Sequence, residues 1–176
     1  MSTGTIIAAT GRLTFSTAQQ MLGDIPADRF GRLPAADVGV VPTNHPAWVY
    51  GHLGLYGPHI LTFLGDERAD RLAAPDGWVP LFGMGSTCSN DVEGTHYPPM
   101  SEIVEQFNRS YEAALDATQR ADDAVFEKAQ PREDLRERFP TVGAFVNFML
   151  TTHVALHVGQ VSAWRRIEGM GSALGF

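Results

Sequence analysis

The chemistry this chain can do is concentrated in its six histidines, His45, His52, His59, His96, His153 and His157. His153 and His157 are four residues apart. On a helix, that spacing stacks both imidazoles on one face about 6 Å apart, close enough to converge on one metal ion. Six histidines scattered at random over this length give about 0.2 such pairs, so spacing alone does not decide the matter and context must. Phe145, Met149, His153, His157, Gln160 and Trp164 follow one another at steps of four and three, so a core-facing stripe carries both histidines inward. Buried neutral imidazoles need a hydrogen-bond partner or a metal. The third ligand is expected from His52, which stands between Trp48, Val49 and Tyr56 on the apolar face of an earlier helix. Three imidazoles favour zinc, nickel, iron or copper over magnesium or calcium, and leave positions free for a substrate. Trp48, Tyr56 and Trp164 read as pocket lining or as plain core, and Trp48, Tyr56 and Gln160 are the residues expected at the site beside the ligands, Gln160 as a hydrogen-bond partner. His59 follows a Gly-Pro break that undermines its geometry. His45 reads as exposed or turn-stabilising, and His96 lies on a long connection from which it can reach the site.

Four helices must position these residues. The first spans about residues 5–22, with Ile7, Gly11, Phe15, Ala18 and Leu22 on one stripe. Residues 24–43, rich in Pro, Gly and Asp, connect it to a second helix capped by Asn44 with Pro46 near its first position. Pro58 cannot bond the Gly54 carbonyl, so this helix is expected to kink or stop there. Residues 65–100 form a long crossover, with a short helix at 66–74, that covers the bundle as a lid. Ser101 is expected to cap a third helix with Ile103, Phe107, Tyr111, Leu115 and Thr118 inward and Glu105–Arg109 and Asp116–Arg120 pairs outward. The fourth runs from about 142 to 166, with Arg165 and Arg166 at the negative end of its dipole and Gly169 beyond. The fold class is therefore all-α, a four-helix bundle forming a single domain over residues 1–176.

Composition limits the partners. With 44% hydrophobic and 19% charged residues the chain can bury a core unaided. Thirteen basic against 20 acidic residues leave a net charge of −7, which repels nucleic acid and anionic membranes. Cys88 is the single cysteine and matches no zinc-binding spacing. With no basic and apolar leader and no run of 18 apolar residues, the chain reads as a cytoplasmic protein.

The segment Asn44-His45-Pro46-Ala47-Trp48-Val49-Tyr50-Gly51-His52-Leu53, followed a hundred residues later by His153-Val-Ala-Leu-His157-Val-Gly-Gln160, resembles the DinB-like superfamily of metalloenzymes. Leu22-Gly23-Asp24-Ile25-Pro26 after the first helix and Tyr97-Pro98-Pro99 before the third extend the likeness over nearly the whole chain. The resemblance implies an up-down-down-up bundle whose long crossover joins helices 2 and 3. It also implies a divalent metal, nickel or zinc, on His52, His153 and His157, and pairing into homodimers. Relatives include bacillithiol S-transferases, a mycothiol-dependent maleylpyruvate isomerase and a domain of ergothioneine-forming sulfoxide synthases, so a low-molecular-weight thiol is an expected cofactor.

Thiols ionise readily on a divalent metal, and thiolate is the reactive form. Val154, Ala155 and Leu156 occupy the interval where a helical metalloprotease carries its general-base Glu, which disfavours peptide hydrolysis. The expected function is a thiol-dependent S-transferase or isomerase acting on a small molecule. The alternatives are a metal-dependent hydrolase of a small ester, amide or lactone, and a non-catalytic metal- or ligand-binding stress-response module.

Overall fold

Apolar residues at helical spacing fold into helices wherever a cap and a stop bracket them, and a computed structural model describes the result for residues 1–37 and 39–174. Val38, within the expected connection 24–43, and Gly175 and Phe176, at the end of the expected 1–176 domain, lie outside the described residues. The protein is an all-α helical bundle with, among the described residues, one pair of two-residue strands. In chain order the elements are α1 (Thr3–Gln20), β1 (Ala35–Ala36), β2 (Gly39–Val40), α2 (Pro46–Leu64), a 3-10 turn (Asp70–Leu72), α3 (Trp78–Phe82), α4 (Met100–Arg120), α5 (Asp123–Glu127), α6 (Glu133–Arg136), α7 (Val142–Leu150) and α8 (Thr152–Ile167). The strands pair antiparallel, Ala35 with Val40 and Ala36 with Gly39. The core lies between α1, α2, α4, α7 and α8, around Phe15, Leu53, Phe107, Tyr111, Leu150 and Trp164.

In α1 the expected stripe is buried from Ile7 to Ala18, and Ser2 caps the helix through Oγ. In α4 all five expected inward residues are buried. The residue before α4 is Pro99, and Ser101 is already helical. On the outer face Arg120 meets Asp116 at 2.8 Å, but Arg109 donates to Gln106 Oε1 instead of pairing with Glu105.

Helix α2 neither kinks to a stop nor restarts at Pro58. The Gly54 carbonyl that Pro58 leaves without a donor is bonded by Gln106 Nε2 of α4 at 3.3 Å, so a neighbour supplies what the helix lacks. Close packing makes this reach possible: a Cβ on Gly57 would stand 2.5 Å from Ser110 Oγ, so glycine is required where α2 crosses α4.

The expected fourth helix is two helices. Thr151 departs from helical geometry (φ −119°, ψ −82°), and the Leu150 carbonyl accepts a 2.7 Å hydrogen bond from Thr14 Oγ1 of α1. A side chain from another element has captured a helical carbonyl, and the phase shifts there. In α8 the buried residues become Val154, Val158, Val161, Trp164 and Arg165, which leaves His153 and His157 half-buried beside the core stripe rather than on it. Arg165 and Arg166 stand in the last turn of α8, and Arg165 also turns inward to Asp24 and to the Met21 carbonyl, so it ties α8 to the end of α1. Gly169 follows the helix at φ 74°. Among the described residues, Val142–Ile167 is the one stretch long and apolar enough to cross a membrane by length and composition. It is broken at Thr151 and packs on α1 and α2.

Candidate metal centre

The residue that opens α2 sets the position of everything after it. Its N-cap is His45, not Asn44: His45 Nδ1 accepts from the Trp48 N–H at 3.2 Å, and its Nε2–H donates to the Ser89 carbonyl at 2.9 Å. Of the two readings expected for it, exposed or turn-stabilising, the second holds: His45 caps the helix and is fully buried, and burial pushes its pKa down to about 4. Asn44 is freed from capping and donates instead to Gln160 Oε1 of α8 at 3.1 Å. The start of α2 is thereby fastened both to the crossover and to the helix that carries the histidine pair.

Two turns into α2, His52 meets the pair. A donor nitrogen from each of His52, His153 and His157 lies within 4.8 Å of the other two. Their rings are 4.7 to 5.3 Å apart, and His52 Nε2 stands 3.3 Å from His153 Nε2. The orientation of two of the three rings is set from outside. His52 Nδ1–H donates to the Phe82 carbonyl at 2.6 Å, and His157 Nδ1–H donates to Gln160 Oε1 at 3.0 Å. Each bond commits the ring proton to Nδ1 and leaves the Nε2 lone pair free. Trp48 stacks on His52 at 4.7 Å and donates Nε1–H to Ser86 Oγ, while Tyr56 presents its ring to His52 and His153 at 4.9 and 5.0 Å.

Desolvation holds all three imidazoles below their ordinary range, His52 to about 4 and His153 to about 3, with His157 lowered in spite of its bond to Gln160. Neutral rings are what a metal requires of imidazole. The donor set fits a divalent cation by its spacing as well. Nitrogens about 2.1 Å from one tetrahedral ion stand about 3.4 Å apart, close to the separation of the His52 and His153 Nε2 atoms. His153 is the ring with no outer partner, since its Nδ1 is buried and unbonded, so its tautomer is not pinned as those of His52 and His157 are. The cluster is therefore compatible with a metal-binding site.

The other expected positions resolve cleanly. His59 lies on the unbroken helix, 5.6 Å from the Tyr56 ring, and is not part of the donor cluster. His96 is exposed beside Tyr97, with its N–H on Asp91, also apart from the cluster. The crossover expected as a lid contains α3, and its role at the site is structural: Phe82, Ser86 and Ser89 support His52, Trp48 and His45 in turn. The short helix expected at residues 66–74 is only the 3-10 turn Asp70–Leu72. Sequence reasoning missed the Phe82 carbonyl. Its approach depends on Gly51, where a Cβ would stand 2.4 Å from the Phe82 ring, and a backbone oxygen carries no sequence signature.

No curated protein and no solved structure matches the chain. The family profile of the DinB superfamily matches residues 12–161, which include α2, the crossover and the whole histidine triad. With that match over most of its length, the chain belongs to the DinB superfamily.

Proposed function

We propose that His52, His153 and His157 hold one divalent cation, nickel or zinc, and that the protein is a metal-dependent enzyme transferring or isomerising a small molecule with a low-molecular-weight thiol. The observation that supports this reading is the pair of outer hydrogen bonds, from His52 to the Phe82 carbonyl and from His157 to Gln160, which leave two Nε2 lone pairs free in a cluster whose nitrogens lie within 4.8 Å of one another. A bound cation there would supply Lewis acidity, which lowers the pKa of a thiol and polarises an electrophile.

The chain's own residues orient and enclose. Phe82 and Gln160 fix the tautomers, Trp48 stacks over His52, and Tyr56 covers the edge of His52 and His153. No carboxylate joins the donor cluster, and Asp134, which borders the adjoining cavity, is held by Arg132.

The test is thiol consumption by metal-loaded protein with monobromobimane or chlorodinitrobenzene as electrophile. Turnover is expected with metal and thiol together and is expected to vanish in His153→Ala and His157→Ala. Turnover that survives either substitution refutes the assignment, and turnover independent of thiol moves it to the hydrolase reading. Bound metal without turnover leaves a binding module.

A further inference from the structure

The triad borders a cavity of about 520 Å³ that reaches from His52 and His153 to Phe63, Phe145 and Phe148. That volume suits a small organic molecule, and the walls are mainly apolar. Charge enters only from α6 and its flanks, through Arg132, Asp134 and Arg138. Arg132 is committed: its Nε and Nη2 donate to the two Asp134 oxygens at 3.2 and 2.5 Å. Arg138 makes no ion pair and no side-chain hydrogen bond among the described residues. Its guanidinium carbon stands 5.3 Å from the centroid of Phe139 and 5.2 Å from that of Phe148. Two aromatic rings hold the cation by its π contacts, which leaves N–H donors at its edge free for a bidentate acceptor. Phe148 is in turn 5.8 Å from the His153 ring, so a single aromatic ring separates the free guanidinium from the triad.

We propose that this cavity binds a small organic monocarboxylate with an apolar body about as large as one aromatic ring, its carboxylate received by Arg138 and its far end turned toward the triad. The proposal rests on reading the triad as the reacting centre, and it adds the class of substrate. Two arginines against one aspartate leave a single positive charge at the cavity, which matches a monoanion better than a phosphate dianion.

The probes are 3-phenylpropanoate, its neutral amide and phenyl phosphate, titrated by calorimetry into metal-free and zinc-loaded protein. The acid is expected to bind at least about tenfold tighter than the amide and tighter than the phosphate, in both forms of the protein. Arg138→Gln, a change to an exposed side chain, is expected to abolish the preference for acid over amide and to leave zinc stoichiometry unchanged. Equal binding of acid and amide, no saturable binding of the acid, stronger binding of the phosphate, or a preference that persists in Arg138→Gln each overturns the proposal. Failure of wild-type protein to take up zinc would overturn the metal reading instead, while the acid preference would still be read in the metal-free form.

Discussion

His45 and the triad place the same side chain in two buried settings and give it opposite tautomers. At His45 the neighbours use both ring nitrogens, one accepting from Trp48 and one donating to Ser89. At His52 and His157 the neighbours use only Nδ1, and the second nitrogen faces other histidines. A saturated ring is a structural part. A ring satisfied on one side only, beside two more of its kind, keeps a lone pair to offer. Burial alone does not separate the two cases, because His45 is the least exposed of the four. What separates them is where the proton is pinned.

The largest effect should come from removing a triad ring. His153→Ala is expected to lower zinc or nickel affinity by more than about 100-fold, beyond the 10- to 100-fold usual for loss of an outer partner, while His45→Ala leaves metal stoichiometry near that of wild type. Metal analysis after dialysis reads both, and equal losses would erase the distinction. Stability of the metal-free protein should sort the variants the other way. His45→Ala removes a helix cap, strands the Ser89 carbonyl and opens a void, for about 2–4 kcal/mol in urea unfolding. His153→Ala removes a nitrogen that is already unsatisfied and should cost less.

Acid sharpens the contrast. The folded pKa of His45, about 4, lies below its ordinary value of 6.5, so between those pH values the unfolded chain binds the proton that the folded chain refuses. Its contribution is thus complete above pH 6.5 and is lost as pH falls toward 4, by at most about 3 kcal/mol. Unfolding free energies measured over that interval should fall less steeply in His45→Gln than in wild type. The smallest effect belongs to Gln160→Leu, which frees the His157 proton from its acceptor and releases Asn44. Metal affinity is expected to fall about 10-fold, read by competition with a chromogenic chelator, with the triad still able to bind.

Much of the fold was legible because it rests on periodicity. The stripes of α1 and α4 bury the residues their spacing selects, since a helix shows one face every three or four residues whatever surrounds it. The errors fall where another element intervenes. Pro58 does not end α2 because Gln106 bonds the freed carbonyl, and Thr14 interrupts the stripe of residues 145–164 through Leu150. The place of His45 at the helix entrance was legible, but its burial was not, because nothing in its local sequence reveals that Ser89 will cover it.

His52, the His153 and His157 pair, and Trp48, Tyr56 and Gln160 could be picked out by residue type and spacing, because neighbours on a helix face are fixed by sequence separation. Their meeting, and the direction in which each lone pair points, belong to the tertiary structure. The deciding atoms are the Phe82 carbonyl, admitted by Gly51, and Gln160 Oε1, shared with Asn44. The free guanidinium of Arg138 also emerges only once α6 packs its flank against Phe148. Spacing along a chain selects which side chains share a helix face, but the proton on an imidazole and the partner of a guanidinium depend on atoms brought in from distant elements.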